Sequence, residues 1–230
     1  MDKKSKKKSQ PVAVSEVSAS LKKLLPIKLP SPALDGGKSV VRALQQRKTI
    51  REISDKKLSL LALSNLLWAA CGVNRKKGPF GIPGRTAATA SNSQEIDLYV
   101  SFEEGTYLYD AVVHRLEPVV AGDLRAMAIG RGQPGYATKA PVHIIYIADV
   151  NKLSNTSGFQ EPGLQNPEVQ KAYYYVDTGI IAGNVYLFAA SFGLASWFHN
   201  CNKSALKAKL NLRADQRILF GQTVGYPEKQ

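Results

Sequence analysis

The 230-residue chain is poor in the residues that most often carry chemistry. It has two cysteines, Cys71 and Cys201, and three histidines, His114, His143 and His199. Two cysteines build neither a disulfide framework nor a zinc motif. The histidines are far apart and lack carboxylates at metal-ligand spacing, which argues against a metal site. Cys71 lies in the apolar run LLWAACG and reads as a core thiol. No glycine-rich dinucleotide fingerprint follows a strand, and "GQPGY" lacks the lysine of a P-loop. "ASFGL" does not have the order of a nucleophile elbow. An apolar signal-peptide core is missing from the first 20 positions. The one long apolar run, Ile180 to Phe198, contains Asn184, follows Asp177 and has no cationic flank on its amino-terminal side. It reads as a buried helix and not a membrane span. These absences lead us to expect a cytoplasmic protein without a metal.

Acidic residues are also scarce: 18 against 31 lysines and arginines, for a net charge of +13. The opening "MDKKSKKK" holds five lysines and one aspartate, so most of the excess is spread along the body. A positive body suits an anionic ligand. The cations are dispersed and follow no nucleic-acid-binding motif, so specific nucleic-acid recognition is not expected, although the lysine tail could bind it non-specifically.

Residues 1–25 read as a disordered basic tail. Residues 26–38, rich in proline and glycine, read as an extended arm suited to packing on a partner subunit. Residues 39–230 read as a single domain. Ser39 is placed to cap a helix through about Gln46, and Ser59 to cap a second that ends at Gly72. A long glycine- and proline-containing loop follows, then the strand "EIDLYVSF", a hairpin partner in "GTYLYDAVVHRLEPV" and a short helix in "LRAMAIG". "APVHIIYIADV" has the apolar density of a buried strand. Turn chemistry over residues 151–168 precedes a long helix expected from Val176 to about His199. A short helix in "KSALKAKLN" and a closing strand in "ADQRILFGQTVGYP" complete the chain. Helices flanking a mainly antiparallel sheet predict an α+β sandwich.

Three constellations stand out, each with a plain structural reading beside the functional one. In "QQRKTIRE", Arg47, Thr49 and Arg51 share a side if the segment is extended, and guanidinium groups with a hydroxyl suit phosphate. A basic helix end facing water would look the same. "TAATASNSQEIDLYV" brings Thr89, Ser91, Asn92 and Gln94 to the start of a strand, as a polar ligand loop or simply a strand cap. "DTGIIAGNVYLFAASFGLASWFHN" has small residues that permit close approach and an Asn184 that must find a partner, as would any core helix.

In order, these segments resemble the nitroreductase superfamily of FMN-dependent proteins. "ALQQRKTIREISDKKLSLLALSNLLWAACGVN", "GRTAATASNSQEIDLYV", "GTYLYDAVVHRLEPVVAGDLR", "DTGIIAGNVYLFAASFGLASWF" and the final "GYP" are most similar to the SagB-type branch related to azoline-forming oxidases. The resemblance implies a nitroreductase-like sandwich in an intertwined homodimer, with FMN bound at the interface. It places Arg47, Thr49 and Arg51 at the phosphate and ribityl positions. Asn92, with Thr89 and Ala90 beside it, would reach the flavin ring from the partner chain. Gly193 and the backbone of His199 and Asn200 would lie near the reactive N5 edge, and Lys229 is the one cation after "GYP". No protein acid is assigned. The chain departs from its relatives with Ala88-Thr89-Ala90 for Pro-Ser-Ala, and with Gln94-Glu95 for Gln-Pro. It also has Ile180 and Gly183 where the branch often has histidine and glutamine. The implied activity is hydride transfer from NAD(P)H through FMN to a nitroaromatic or quinone-like acceptor. The alternatives are an azoline-forming dehydrogenase or oxidase, and a non-catalytic FMN-binding or basic surface-binding protein.

Overall fold

The computed structural model describes residues 24–130, 132 and 138–228. Lys229 and nearly all of the expected basic tail lie outside the described residues. The arm contributes a two-residue strand, β1 (Ile27–Lys28). Ser39 opens α1 (Val40–Gln46), its hydroxyl accepting the Arg42 N–H at 3.3 Å. Ser59 opens α2 (Leu60–Cys71) in the same way, and the Gly72 N–H returns to the Trp68 carbonyl at 2.7 Å. Each cap satisfies a donor or acceptor that the helix end would otherwise leave open. The following loop is more structured than expected. It carries a small hairpin of β2 (Val73–Arg75) and β3 (Gly84–Arg85).

The main sheet begins with β4 (Ile96–Ser101), β5 (Gly105–Asp110) and β6 (Arg115–Ala121). A four-residue helix, α3 (Arg125–Ala128), leads to β7 (Val142–Asp149) and then α4 (Val150–Ser154). The long helix α5 spans Pro167–Phe192, followed by β8 (Ala195–His199), α6 (Lys203–Leu210) and β9 (Gln216–Gly225). Seven strands form one sheet in the order β1-β6-β5-β4-β7-β9-β8, with every pairing antiparallel. The expected α+β sandwich with a mainly antiparallel sheet is what forms.

The central strand β7 is buried along its whole length. Its Ile144, Tyr146 and Ala148 pack with Leu66, Leu67, Ile181 and Val185 of α2 and α5. Ile145 and Ile147 pack on the other face with Ala128, Leu206 and Leu210. Burial on both faces explains why this strand reads as an unbroken apolar run instead of an alternating one. Each of these leucine, isoleucine and valine side chains contributes about 1.5–3 kcal/mol when fully buried.

The expected helix over Val176–His199 needs correcting at both ends. It starts earlier, because Asn166 caps it by accepting the Glu168 N–H at 2.9 Å and Pro167 occupies the first turn. It stops at Phe192, because Gly193 is left-handed with φ 69° and returns its N–H to Ala189. A side chain there would be strained by the backbone alone, since a Cβ would meet nothing within 4 Å. Residues 195–199 then extend as the edge strand β8, paired with β9 from Ala195↔Gly225 to His199↔Gly221. Among the described residues, no helix is long and apolar enough to cross a membrane. Burial pushes the Cys71 thiol up to about 12 and that of Cys201 to about 11, so neither is a ready thiolate; Cys201 is buried in the core, while Cys71 is half-buried at its edge.

Candidate functional site

Arg47 is where α1 gives way to extended backbone, with ψ 121°. From there the chain runs beside β8, the Ile50 N–H donating to the Ser196 carbonyl at 3.1 Å. Ile50 turns inward against Ile53, Ala140 and Ala195, which leaves the alternate positions Arg47, Thr49 and Arg51 on the other side. The Arg47 guanidinium lies 5.6 Å from the centre of the Tyr186 ring, and that of Arg51 lies 5.8 Å from the Trp197 ring. The Thr49 hydroxyl is 3.1 Å from the Tyr186 hydroxyl, which also accepts the Phe198 N–H at 2.9 Å. Tyr186 thus ties the 47–51 segment to α5 and β8. Neither guanidinium has an ion-pair partner among the described residues. Two uncompensated cations held over aromatic faces beside a hydroxyl make a donor set suited to phosphate. Lys48 is exposed and outside the cluster.

The second group is the loop before β4. Ser91, Asn92 and Gln94 all have positive φ, at 49°, 55° and 53°. These conformations are costly for residues with a side chain and persist only where surrounding bonds impose them. The Thr89 hydroxyl accepts the Gln94 N–H at 3.0 Å, and the Ser91 hydroxyl donates to the Gly158 carbonyl at 2.7 Å. The Asn92 amide donates to the carbonyls of Pro79 and Ile82, both at 3.3 Å, and accepts from Gln94 at 3.0 Å. Asn92 therefore holds its own loop in shape and keeps spare accepting capacity on its Oδ1. The Ala90 N–H donates to Asp177 of α5 at 2.8 Å. Thr89, Asn92 and the exposed Phe80 line a cavity of about 340 Å³. A cavity of about 550 Å³ between β1, α2 and the β4–β5 turn holds none of the sequence-predicted residues.

The two groups are anchored separately on α5, one through Tyr186 and the other through Asp177. No hydrogen bond among the described residues joins them. Asp177 and Tyr186, their respective anchors, are nine positions apart on α5. That is about two and a half helical turns, so they occupy opposite flanks. Between the flanks, on the outer side, α5 presents Tyr173, Val176 and Ile180, which are exposed. Val40, Val41 and Leu44 of α1 are also exposed.

The remaining expected residues have clear structural roles. Gly193 is the helix cap described above. His199 ends β8 with its ring buried. Its Nδ1 is 2.8 Å from the Asn200 carbonyl and its Nε2 is 2.8 Å from the Thr223 hydroxyl. A carbonyl only accepts, so the proton sits on Nδ1 and the Thr223 hydroxyl donates to Nε2. Burial holds the ring below the ordinary histidine range, which keeps it neutral. Asn184 donates its amide to the carbonyls of Ala70 and Thr86, both at 3.4 Å, bridging α2 to the loop.

Sequence reasoning missed Tyr186 and Glu95. Tyr186 stands in an apolar run with nothing to mark its hydroxyl. Glu95 sits in a polar stretch, yet it is fully buried beneath the loop.

The Nitroreductase family model matches residues 44–226. A candidate nitroreductase of Methanocaldococcus jannaschii is 28% identical over 163 residues, covering 66% of this chain and 74% of the relative. A crystal structure of a candidate nitroreductase from Ralstonia eutropha JMP134 superposes with TM-score 0.77 at 32% identity, covering 97% of each chain. A chain of the E. coli microcin synthetase McbBCD complex shares the fold, with TM-score 0.63 at 16% identity over 97% of this chain and 85% of that one. With a family match over most of its length and a 32%-identical structure aligned nearly end to end, the chain belongs to the nitroreductase family, whose members are generally flavin-dependent oxidoreductases.

Proposed function

We propose that the protein is a homodimeric FMN-dependent oxidoreductase that takes hydride from NAD(P)H and reduces a flat acceptor of the nitroaromatic or quinone class. The observation that carries the reading is the alternate array Arg47, Thr49 and Arg51, with both guanidinium groups braced on Tyr186 and Trp197 and without an ion-pair partner among the described residues. In this reading those three residues hold the FMN phosphate and ribityl chain, and Lys229 is a further candidate for the phosphate. Bound flavin supplies two-electron redox chemistry. The protein positions it and excludes water. Donors along the ring edge stabilise negative charge as it develops. Thr89, Ala90 and Asn92 serve the ring from the partner subunit. The backbone of Gly193, His199 and Asn200 serves the N5 edge. The ring of neutral His199 is fully engaged, so it orients that backbone and is not a proton donor. Flat acceptors need stacking more than acid catalysis, consistent with the absence of an assigned acid.

The placement of the two groups supports the homodimer of this reading. They lie on opposite flanks of α5, with an exposed apolar stripe between them. A second copy packed on that stripe by two-fold symmetry can bring its loop to the first copy's arginines.

The deciding experiment is a visible spectrum of the purified protein, followed by anaerobic titration with NADH and NADPH. Bound flavin bleached by either nicotinamide is the expected result; a colourless protein that fails to take up FMN overturns the reading. Arg47→Ala should weaken FMN binding about tenfold or more, the worth of one charge-assisted hydrogen bond. Lys48→Ala should leave it unchanged. The resemblance to the SagB-type branch supports a second reading, an azoline dehydrogenase or oxidase. A flavoprotein inert to both nicotinamides would favour it.

A further inference from the structure

Beneath the 89–95 loop lies a pair of carboxyl groups that the proposed chemistry does not use. Glu95 is 0% exposed and Asp177 is 4% exposed. The Ser93 hydroxyl donates to Glu95 Oε2 at 2.6 Å, while Glu95 Oε1 is buried and receives no donor among the described residues; the carboxyl's other neighbour is Asp177, with which it shares a side-chain hydrogen bond. Asp177 Oδ2 accepts the Ala90 N–H at 2.8 Å. The Glu95 backbone is fixed on the sheet side, its carbonyl accepting the Asp149 N–H at 2.8 Å. Any adjustment around the pair must therefore come from the loop. That loop is already strained, with three positive φ angles at Ser91, Asn92 and Gln94.

The neighbouring charges offer no relief. On β7, Asp149 turns to Arg213 at 2.6 Å. On α4, Lys152 is engaged with Asp97 at 2.5 Å. Arg85 donates to the Gln94 amide oxygen and to the Cys71 carbonyl. Neither Glu95 nor Asp177 has an ion-pair partner among the described residues.

We infer that Glu95 and Asp177 form a proton-operated latch on the 89–95 loop. With Glu95 protonated, Asp177 is the only charge of the pair and is committed to the Ala90 N–H. When Glu95 ionises, a second negative charge forms beside it with one oxygen lacking a donor. The Asp177–Ala90 contact then gives way and the loop opens to admit water. Burial, then the charge of Asp177, pushes the Glu95 carboxyl up to about 8, which places this event just above neutrality. Only the functional consequence, release of the loop proposed to reach the flavin, rests on the FMN reading.

The sign of the pH dependence is fixed. The folded state keeps the proton to about 8, while the unfolded chain loses it near the ordinary value of 4.5. Stability is thus lost as pH rises through this interval and is level above it. The test compares the full chain with Glu95→Gln, which mimics the protonated acid. Between those limits the wild-type unfolding constant should rise by up to about tenfold per pH unit relative to the variant. Amide exchange at Ala90, corrected for the intrinsic rate, should accelerate in the wild type above pH 8 and stay slow in the variant. Asp177→Asn should move the wild-type titration to lower pH, since the Asp177 charge that helps burial to raise it is gone. Parallel stability curves for wild type and Glu95→Gln, or equal Ala90 protection at all pH values, would overturn the latch. These readings need no nicotinamide and no acceptor. A protein without flavin would defeat the proposed activity and leave the latch result standing.

Discussion

His199 shows what a single residue can and cannot do here. Both ring nitrogens are used, one by the Asn200 carbonyl and one by the Thr223 hydroxyl. Its folded value is depressed below 6.5 by burial, so the unfolded chain takes up the proton first as pH falls. Its contribution is present above that value and is lost towards acid. His114 is lowered for the same main reason and acts in the same direction. Glu95 has the opposite sign, so the two effects oppose each other below pH 6.5 and Glu95 dominates between there and about 8. His199→Leu should cost about 1–3 kcal/mol for each polar partner left buried and unpaired. In denaturant melts the deficit should be large at pH 7.5 and narrower at pH 5, where the wild type bears the cost of protonating the ring. A constant gap would show that the ring is not held neutral by burial. The array at 47, 49 and 51 was legible because an extended segment alternates sides, which two-residue spacing displays. Glu95 was not, because nothing in "SNSQEIDLYV" announces that a glutamate is folded under its own loop.

At the scale of elements, strands with strong chemical character were easy to read and boundaries were harder. β7 announced itself through continuous β-branched and aromatic residues, and the serine caps marked the starts of α1 and α2. The ends of α5 were present in the sequence as Asn166-Pro167 and Gly193, but the apolar run through "ASFGLASWF" hid the change from helix to strand. Periodicity does not distinguish a short buried strand from more helix; the left-handed glycine does. Correcting that boundary matters, because β8 is the edge along which residues 47–51 lie. The outer stripe of α5 carries its own prediction. Val176 is 60% exposed, so a charge there should not disturb a single folded chain. Val176→Glu should turn a dimer into a monomer by light scattering and lose flavin in the same sample, with the melt of the chain largely unaltered. A variant of unchanged mass and colour would mean that the stripe is not the subunit interface.

For the whole molecule the question is whether a site is made by one chain or two. Arg47 and Asn92 belong to groups anchored on opposite flanks of α5, through Tyr186 and through the loop bonded to Asp177. A shared site therefore calls for a second copy, and this is open to a complementation test. Arg47→Ala and Asn92→Ala chains, each alone, should give dimers with both sites impaired. The Asn92 variant need not act by direct contact, because the residue also holds the shape of its loop. In a mixed dimer, one site receives the intact arginine of one chain and the intact loop of the other, while its twin receives both defects. Random mixing by co-expression or refolding makes about half of the dimers mixed, so about a quarter of all sites should regain tight flavin binding. Flavin fluorescence released on denaturation counts them. If each site were built by a single chain, every site in the mixture would still carry one defect and mixing would restore none. The test separates shared from private sites without requiring the nicotinamide donor or the acceptor to be known.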